Sequence, residues 1–215
     1  MAGPMTLNHR IVVRIHKRQF PLIERKIMCG DKKQDSIETE ISESFIKSRK
    51  VFLWGAVDDK LSKEIVQKLL YLDSQSNEDI TLYINSPGGS VIDGFAILDA
   101  IDSIKSDVVT IVTGFAASMG AIIQMCGAKG KRYIWPRGKI MIHQPLINGV
   151  IEGVTADINI RAEQIEKTRA IVNKIISDKT GKTLEQVIKD TDRDFWLTAE
   201  ESLEYGLVDK IEAKN

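Results

Sequence analysis

Short apolar runs alternate with longer amphipathic stretches from about residue 50 onward, and this alternation constrains the fold more than any other feature of the chain. Apolar or β-branched runs are typical of buried strands, whereas apolar residues that recur every three or four positions are typical of helices. Strands that alternate with helices require crossover connections, so we expect an α/β fold with a mainly parallel sheet. The expected strands are 51–54, 80–84, 108–112, 132–135 and 139–142, and the expected helices are 61–72, 91–104, 121–126 and 155–179.

Several helix starts carry capping residues. Ser90 precedes the expected helix 91–104 and is suited to be its N-cap. The pairs Thr183 with Gln186 and Thr198 with Glu201 both fit the capping-box spacing, which predicts two further short helices near the carboxyl end of the chain.

Charge is unevenly distributed along the 215 residues. Lys plus Arg and Asp plus Glu both number 30, and this zero net charge argues against nucleic-acid binding through a bulk basic field. Residues 1–33 nevertheless hold eight basic and two acidic side chains, so they carry +6 and the remainder carries −6. Met28 offers an alternative start, which leaves open whether residues 1–27 belong to the mature protein.

The two cysteines, Cys29 and Cys126, form neither a disulfide framework nor a zinc-binding pattern, because they lie far apart and lack CxxC spacing. No run approaches the length of uncharged apolar sequence that spans a bilayer, and charges interrupt the apolar N-terminal segment 11–15. We therefore expect a cytoplasmic protein that binds no membrane, metal or nucleic acid.

Ser118 lies between a β-branched strand and an apolar helix, next to the small residues Ala116, Ala117 and Gly120. A sharp turn there would expose its hydroxyl at a helix N-terminus, where free backbone N–H groups can bind an oxyanion. A serine in this place is more commonly an N-cap. The local sequence leaves both a nucleophile and a cap open.

A nucleophilic serine needs a base, and histidine is the side chain best suited to that role near neutral pH. His9 and His16 lie in the basic N-terminal stretch, which leaves His143 at the end of an expected strand, where α/β sheets place their sites. A structural histidine is the alternative. An orienting acid could come from Asp190, Asp192 or Asp194, and spacing does not choose among these three.

The turn at residues 85–89 follows another expected strand and contains Gly88 and Gly89. Adjacent glycines let backbone N–H groups approach a ligand closely. A plain turn is the alternative, and a phosphate cradle is disfavoured because neither GxGxxG nor a GK[ST] ending is present.

Taken in order, five blocks resemble the proteolytic subunits of the Clp protease, the ClpP family. The resemblance covers about residues 45–211. The blocks are YINSPGGS at 83–90, GFAASMGA at 114–121, MIHQP at 141–145, DTDRDFWLTAEE at 190–201 and YGLVD at 205–209.

This resemblance implies a serine endopeptidase with a Ser-His-Asp triad. Ser118 matches the family's nucleophile, His143 its general base, and Asp194 its acid, since the family's aspartate follows the arginine of the DTxRD segment. Backbone N–H groups of Gly89 and Met119 match the family's oxyanion hole.

The resemblance also implies a ClpP/crotonase-like spiral of β-β-α units, in which 155–179 is a protruding handle helix. Residues 45–215 would form the peptidase domain, and 1–44 an N-terminal extension and atypical segment, partly disordered. The family stacks two heptameric rings into a tetradecameric barrel that cuts unfolded proteins to short peptides. A partner AAA+ unfoldase uses ATP to feed substrate, so no cofactor is expected in this chain.

Two departures from the family pattern concern assembly. Residues 28–44 are polar and acidic where the family's pore-lining segment is expected, and the loop 146–153 is longer than the common form. Pairing with a paralogous subunit is one consequence to consider. Two other functions stay open: a non-catalytic ring subunit, and a crotonase-type acyl-CoA enzyme, which shares the architecture but relies on acidic residues.

Overall fold

A computed structural model describes residues 37–146 and 153–212. Residues 37–47 are helical, and contacts group the chain from Ser44 onward into one compact unit. The strands are β1 (Lys50–Trp54), β2 (Ile80–Ser86), β3 (Val108–Ala117), β4 (Arg132–Ile134), β5 (Lys139–Ile142), β6 (Phe195–Leu197) and β7 (Lys210–Ile211). The helices that follow β1 are α1 (Asp59–Gln75), α2 (Val91–Ser103), α3 (Met119–Met125), α4 (Thr155–Thr180), α5 (Leu184–Asp190) and α6 (Ala199–Tyr205).

The sheet is mainly parallel, which confirms the fold class expected from the sequence. Its main path runs β1-β2-β3-β4-β7, and every neighbouring pair on that path is parallel. β5 pairs with the far end of β3, also in parallel, and β6 runs antiparallel to β5. On the edge opposite β2, strand β3 therefore pairs with two strands in succession, first with β4 and then with β5.

Strand β3 is longer than the sequence predicted: it continues past Gly114, where we expected it to end, so that expectation was wrong. A side chain at Gly114 would collide with Asn85, whose Oδ1 would lie 2.6 Å from its Cβ. The same Oδ1 accepts a hydrogen bond from the Phe115 N–H at 3.2 Å. The glycine therefore lets Asn85 bind the strand at this point, and the strand continues to Ala117, where it pairs with β5.

The core lies between the sheet and the helices that pack on it. Strand β2 alternates strictly, with Ile80, Leu82 and Ile84 fully buried, and α1 buries Ile65 and Leu69 toward them in the same hydrophobic cluster. Each buried side chain of this kind contributes about 1.5–3 kcal/mol relative to exposure. Because these strands are anchored in the core, the residues at their ends are held in fixed positions.

The expected capping residues lie where the sequence placed them. Ser90 accepts from the Asp93 N–H at the start of α2, and Thr183 accepts from the Gln186 N–H at the start of α5. A full capping box is present at α6, where Thr198 and Glu201 exchange hydrogen bonds. Side chains of the capping type thus account for the entry into three of the helices.

Helix α4 spans 26 residues, but only its carboxyl-terminal half packs on the core, through Val172, Asn173 and Ile176. Ile158 and Ile160 in the first half are exposed in this chain. Gly181 then ends the helix with a φ of 74°, a left-handed conformation that glycine adopts at little cost. The helix therefore protrudes, as expected of a handle.

Some expectations fall outside the described residues. These are the basic stretch 1–33, the alternative start at Met28, most of the polar segment 28–44 and the long loop at 147–152. The division of the chain at residues 44 and 45 stays a prediction. Within the part that the structure covers, none of the helices is long and apolar enough to cross a membrane.

Candidate active site

Three candidate residues lie at the ends of three adjacent strands. Ser118 follows β3, His143 follows β5, and Asp194 precedes β6. Because β5 and β6 are antiparallel with Ile142 opposite Phe195, the next step of the register places His143 opposite Asp194. Pairing of β3 with β5 in parallel brings the end of β3 to the same edge. The topology therefore gathers the three side chains.

Hydrogen bonds link the three side chains in series. His143 Nε2 lies 2.9 Å from Ser118 Oγ, and His143 Nδ1 lies 3.0 Å from Asp194 Oδ1. A carboxylate can only accept, so the Nδ1–H donates to Asp194 and the free Nε2 accepts from the Ser118 hydroxyl. The His143 side chain is 10% exposed and that of Asp194 is 60% exposed, so the acid sits at the open end of the series.

Ser118 is held in an unusual backbone conformation, with a φ of 54° and a ψ of −124°. Such a conformation costs a non-glycine residue about 1–3 kcal/mol, and it is typical of a nucleophile elbow. Its carbonyl accepts from Ala121 and Ile122 in the first turn of α3, but its hydroxyl caps no helix N–H. The interpretation of Ser118 as an ordinary N-cap is therefore wrong, since the hydroxyl faces His143.

The backbone N–H groups of Gly89 and Met119 have no acceptor within the described residues. Val57 explains the first: it donates to the Gly88 carbonyl and accepts from the Ser90 N–H, both at 2.8 Å, which leaves the intervening N–H unused. Met119 begins α3, where backbone N–H groups have no partner in the helix. Two residues next to Ser118 therefore each have a free backbone N–H donor.

The glycine turn packs directly against Ser118. A Cβ on Gly88 would lie 2.7 Å from the Ser118 Cβ and 2.8 Å from the Met119 nitrogen. A Cβ on Gly89, where φ is 151°, would collide with the backbone of Val57. Only glycine fits at both positions, and the close approach of Gly88 places the turn directly beside Ser118 and Met119.

The other two aspartates have different partners, which separates them from Asp194. Asp190 accepts from the Tyr205 hydroxyl at 2.8 Å, and burial together with this hydrogen bond raises the pKa of Tyr205. Asp192 pairs with its neighbour Arg193 at 3.2 Å. Neither carboxylate bonds to His143; of the three candidates that spacing left open, Asp194 is the one whose carboxylate does.

Sequence reasoning missed two features of the site: strand β6 and the contacts of Gln144, which bonds to Thr191 and Asp192. A signal was present in Phe195–Leu197, an apolar tripeptide after a charged run, but so short a strand does not stand out by periodicity. Recognition of its pairing with β5 would have identified the acid without any resemblance.

This arrangement is suited to acyl transfer. A serine hydroxyl bonded to a histidine that is oriented by a carboxylate, with two free N–H donors beside it, contains every group that nucleophilic attack on a carbonyl requires. A crotonase-type enzyme has no need of this serine and histidine. Among residues 37–146 and 153–212, no group of three or more His, Cys, Asp or Glu side chains is arranged to hold a metal ion.

Comparisons with known proteins agree with this chemistry. The family model of the Clp protease matches residues 32–215. An ATP-dependent Clp protease proteolytic subunit of Streptococcus mutans serotype c (strain ATCC 700610 / UA159) is 46% identical over 199 residues, which cover 91% of this chain and 98% of that protein. With a match of this extent, the chain belongs to the Clp protease family of serine peptidases.

Proposed function

We propose that Ser118 is the nucleophile of this peptidase, His143 its general base and Asp194 the acid that orients the base. The observation that carries this assignment is the continuous series of hydrogen bonds, 2.9 Å from Ser118 Oγ to His143 Nε2 and 3.0 Å from His143 Nδ1 to Asp194 Oδ1. The backbone of Ser118 is strained and its hydroxyl caps no helix N–H, and both observations support the same role.

Reaction begins when Ser118 Oγ attacks the carbonyl carbon of the scissile peptide bond and its proton passes to His143 Nε2. Asp194 stabilises the resulting imidazolium. The negative charge that develops on the carbonyl oxygen is accepted by the N–H groups of Gly89 and Met119, and one such donor typically contributes a factor of about 10²–10³ in kcat.

Collapse of the tetrahedral intermediate breaks the C–N bond, and His143 gives its proton to the leaving amine. The acyl group then remains as an ester on Ser118. Water attacks this ester with His143 again as the base, which releases the new carboxyl end of the product and restores the serine. No step requires a metal or an organic cofactor.

We propose further that this chain, alone or with a paralogous subunit, forms two stacked heptameric rings in the cytoplasm. The rings would enclose a chamber that contains the active sites. Ile158 and Ile160 on the protruding half of α4 are exposed in the single chain, and a subunit packed on this helix would bury both, which supports self-association. The name of the Streptococcus mutans relative supports an ATP-dependent partner. An AAA+ unfoldase would use the ATP and deliver unfolded polypeptide, which this chain would cut to short peptides.

A fluorophosphonate probe tests the assignment of the nucleophile. Peptide mapping after labelling should place the adduct on Ser118, and Ser118→Ala should abolish both labelling and peptidase activity. Ser74→Ala, an exposed serine on α1, is the matched control and should label as wild type does. An adduct on another residue, or equal labelling of Ser118→Ala, would refute the assignment.

A further inference from the structure

Gln144, the residue after the base, binds the segment that leads to the acid. Its backbone N–H donates to the Thr191 carbonyl at 2.6 Å. Its side-chain Nε2 donates to the Asp192 carbonyl at 2.8 Å and lies 3.4 Å from the Asp192 carboxylate. One residue thus bonds to two successive positions just before Asp194.

Asp194 itself is held by few contacts. Within the described residues, Asp194 makes no side-chain hydrogen bond except the one to His143, and its side chain is 60% exposed. The β5–β6 ladder ends at the pair Ile142 and Phe195, before either catalytic side chain is reached. The position of the carboxylate therefore depends on where the backbone of residues 191–194 is held.

The two ends of this segment are held differently. Thr191 is anchored to α4 and α5, since its hydroxyl bonds to the Asn173 side chain and the Val187 carbonyl. Beyond it, the Asp192 carbonyl accepts from Gln144 and from Arg193, whose side chain is 83% exposed. Both contacts reach the exposed Asp192, but Gln144 itself is half-buried, whereas exposed contacts of a long charged side chain contribute little to positioning; the tie from Gln144 is therefore the firmer one.

We propose that Gln144 is a positioning residue for the peptidase, whose side-chain amide holds the segment of Asp194 against the segment of His143. This inference rests on the proposed triad. A catalytic group displaced by about 1 Å can cost about 10²-fold in rate, so loss of the tie should lower kcat by about 10- to 100-fold. Substrate contacts are not altered, and KM should change little.

Isosteric substitution separates the hydrogen bond from the shape of the side chain. Gln144→Glu keeps the size but replaces the donor with an acceptor that faces the carbonyl and carboxylate oxygens of Asp192. Gln144→Lys keeps a donor on a side chain of sufficient reach. We expect Gln144→Ala and Gln144→Glu to be slow, with Glu the slower, and Gln144→Lys to recover most of the rate.

The test compares kcat and KM for a short fluorogenic peptide, and the rate of fluorophosphonate labelling of Ser118, in fractions assembled to the size of wild type. Gln186→Ala is the matched control, because Gln186 is an exposed glutamine that likewise bonds to a neighbouring aspartate, Asp190, at 2.7 Å. It should keep the wild-type kcat.

Wild-type kcat in Gln144→Ala, or equal rates in Gln144→Glu and Gln144→Lys, would overturn the inference. A slow Gln144→Glu and a fast Gln144→Lys decide in its favour even where Gln144→Ala does not assemble. Failure of the triad itself is distinguishable, since the probe would then label a residue other than Ser118 in the wild-type protein.

Discussion

The backbone N–H of Ser118 donates to the carbonyl of Met141 at 2.9 Å. This bond continues the parallel pairing of β3 and β5 by one step beyond Ala117, and Met141 lies two residues before His143. The separation of Ser118 and His143 is therefore set by strand pairing as well as by side-chain rotamers. The geometry of the proposed triad therefore depends on how the ends of β3, β5 and β6 lie next to one another in the sheet.

Loss of the acid should affect catalysis far more than folding. Asp194→Asn replaces a carboxylate, which can only accept, with an amide whose NH2 can donate to His143 Nδ1 and favour the wrong tautomer, and changes of this kind lower kcat by about 10⁴. The side chain is mostly exposed, so the melting temperature should hardly change. Steady-state peptidase assays and thermal unfolding measure both effects. Asp178→Asn, an exposed carboxylate on α4, should leave kcat unaltered, and a similar loss there would contradict the prediction.

Substitution of Gly89 should damage the oxyanion hole. In Gly89→Ala, the new Cβ collides with the Val57 backbone, so the turn must move and its N–H shifts away from the oxyanion. We expect kcat to fall by about 10²-fold or more. Gly181→Ala is the control, since it has a positive φ of 74° but open space around it. It should lose about 1–2 kcal/mol of stability, the cost of a left-handed conformation for a residue with a Cβ, and keep its kcat. Parallel losses of kcat in both variants would argue against the oxyanion role.

Acid should weaken the fold through Asp209. Burial alone would raise the pKa of Asp209, but hydrogen bonds from the Arg132 guanidinium and backbone and from the Gly130 N–H outweigh burial and lower it. A lowered folded-state pKa means that the unfolded chain binds the proton more readily. The stabilisation is therefore complete above the unfolded pKa, about 4, and is lost as the pH falls through the lower folded-state pKa.

Asp209→Asn tests this pH dependence. Arg132 Nη2 lies 2.6 Å from Asp209 Oδ1, and the side chains are 8% and 19% exposed, so the variant leaves a buried guanidinium without its charge partner. Breaking such a pair costs about 3–5 kcal/mol. Urea unfolding at several pH values should show this loss at neutral pH and a flatter dependence below about pH 4. A variant with the same acid dependence as wild type would exclude Asp209 as its source.

The thiol of Cys126 should be unreactive in the folded protein. Burial raises its pKa to about 11, so at pH 8 only about one thiol in a thousand is ionised. Iodoacetamide should not label Cys126 in the native protein and should label it rapidly in denaturant. Peptide mapping distinguishes this site from Cys29, and rapid native labelling of Cys126 would show that the core opens there.

Assembly should depend on the exposed half of α4. Ile160→Glu places a charge where we propose that another subunit packs, and burial of an unpaired charge is costly. Native mass spectrometry should show smaller species for this variant, while Ile160→Leu should assemble as wild type does. Complete assembly of Ile160→Glu would remove this helix face from the proposed interface.

The parts of the fold with a regular pattern were predictable from the sequence. Strand β2 alternates and ends in the glycine turn, and helix α4 begins at the expected Thr155 and ends one residue past the expected 179. Both elements have enough residues for their period to be visible. The extension of β3 past Gly114 was not predictable, because it depends on a hydrogen bond from Phe115 to Asn85, a residue in another strand.

The same distinction applies to the site. Ser118 and His143 stood out because each follows an apolar strand, and the resemblance then selected Asp194. Physical reasoning alone could not choose the acid, because the choice depends on the register of a three-residue strand with β5. The tie from Gln144 was invisible for a similar reason, since it joins positions 48 residues apart.

Strand β6 has β5 as its sole partner in the sheet among the described strands, and it is three residues long. Short edge segments open with a much smaller free energy than the whole domain requires. Local detachment of β6 would withdraw Asp194 while the central strands stay intact, so the protein would become an inactive but still folded peptidase. Enzymatic inactivation on heating is therefore expected to precede global melting. Loss of peptidase activity would then measure the detachment of β6 from β5.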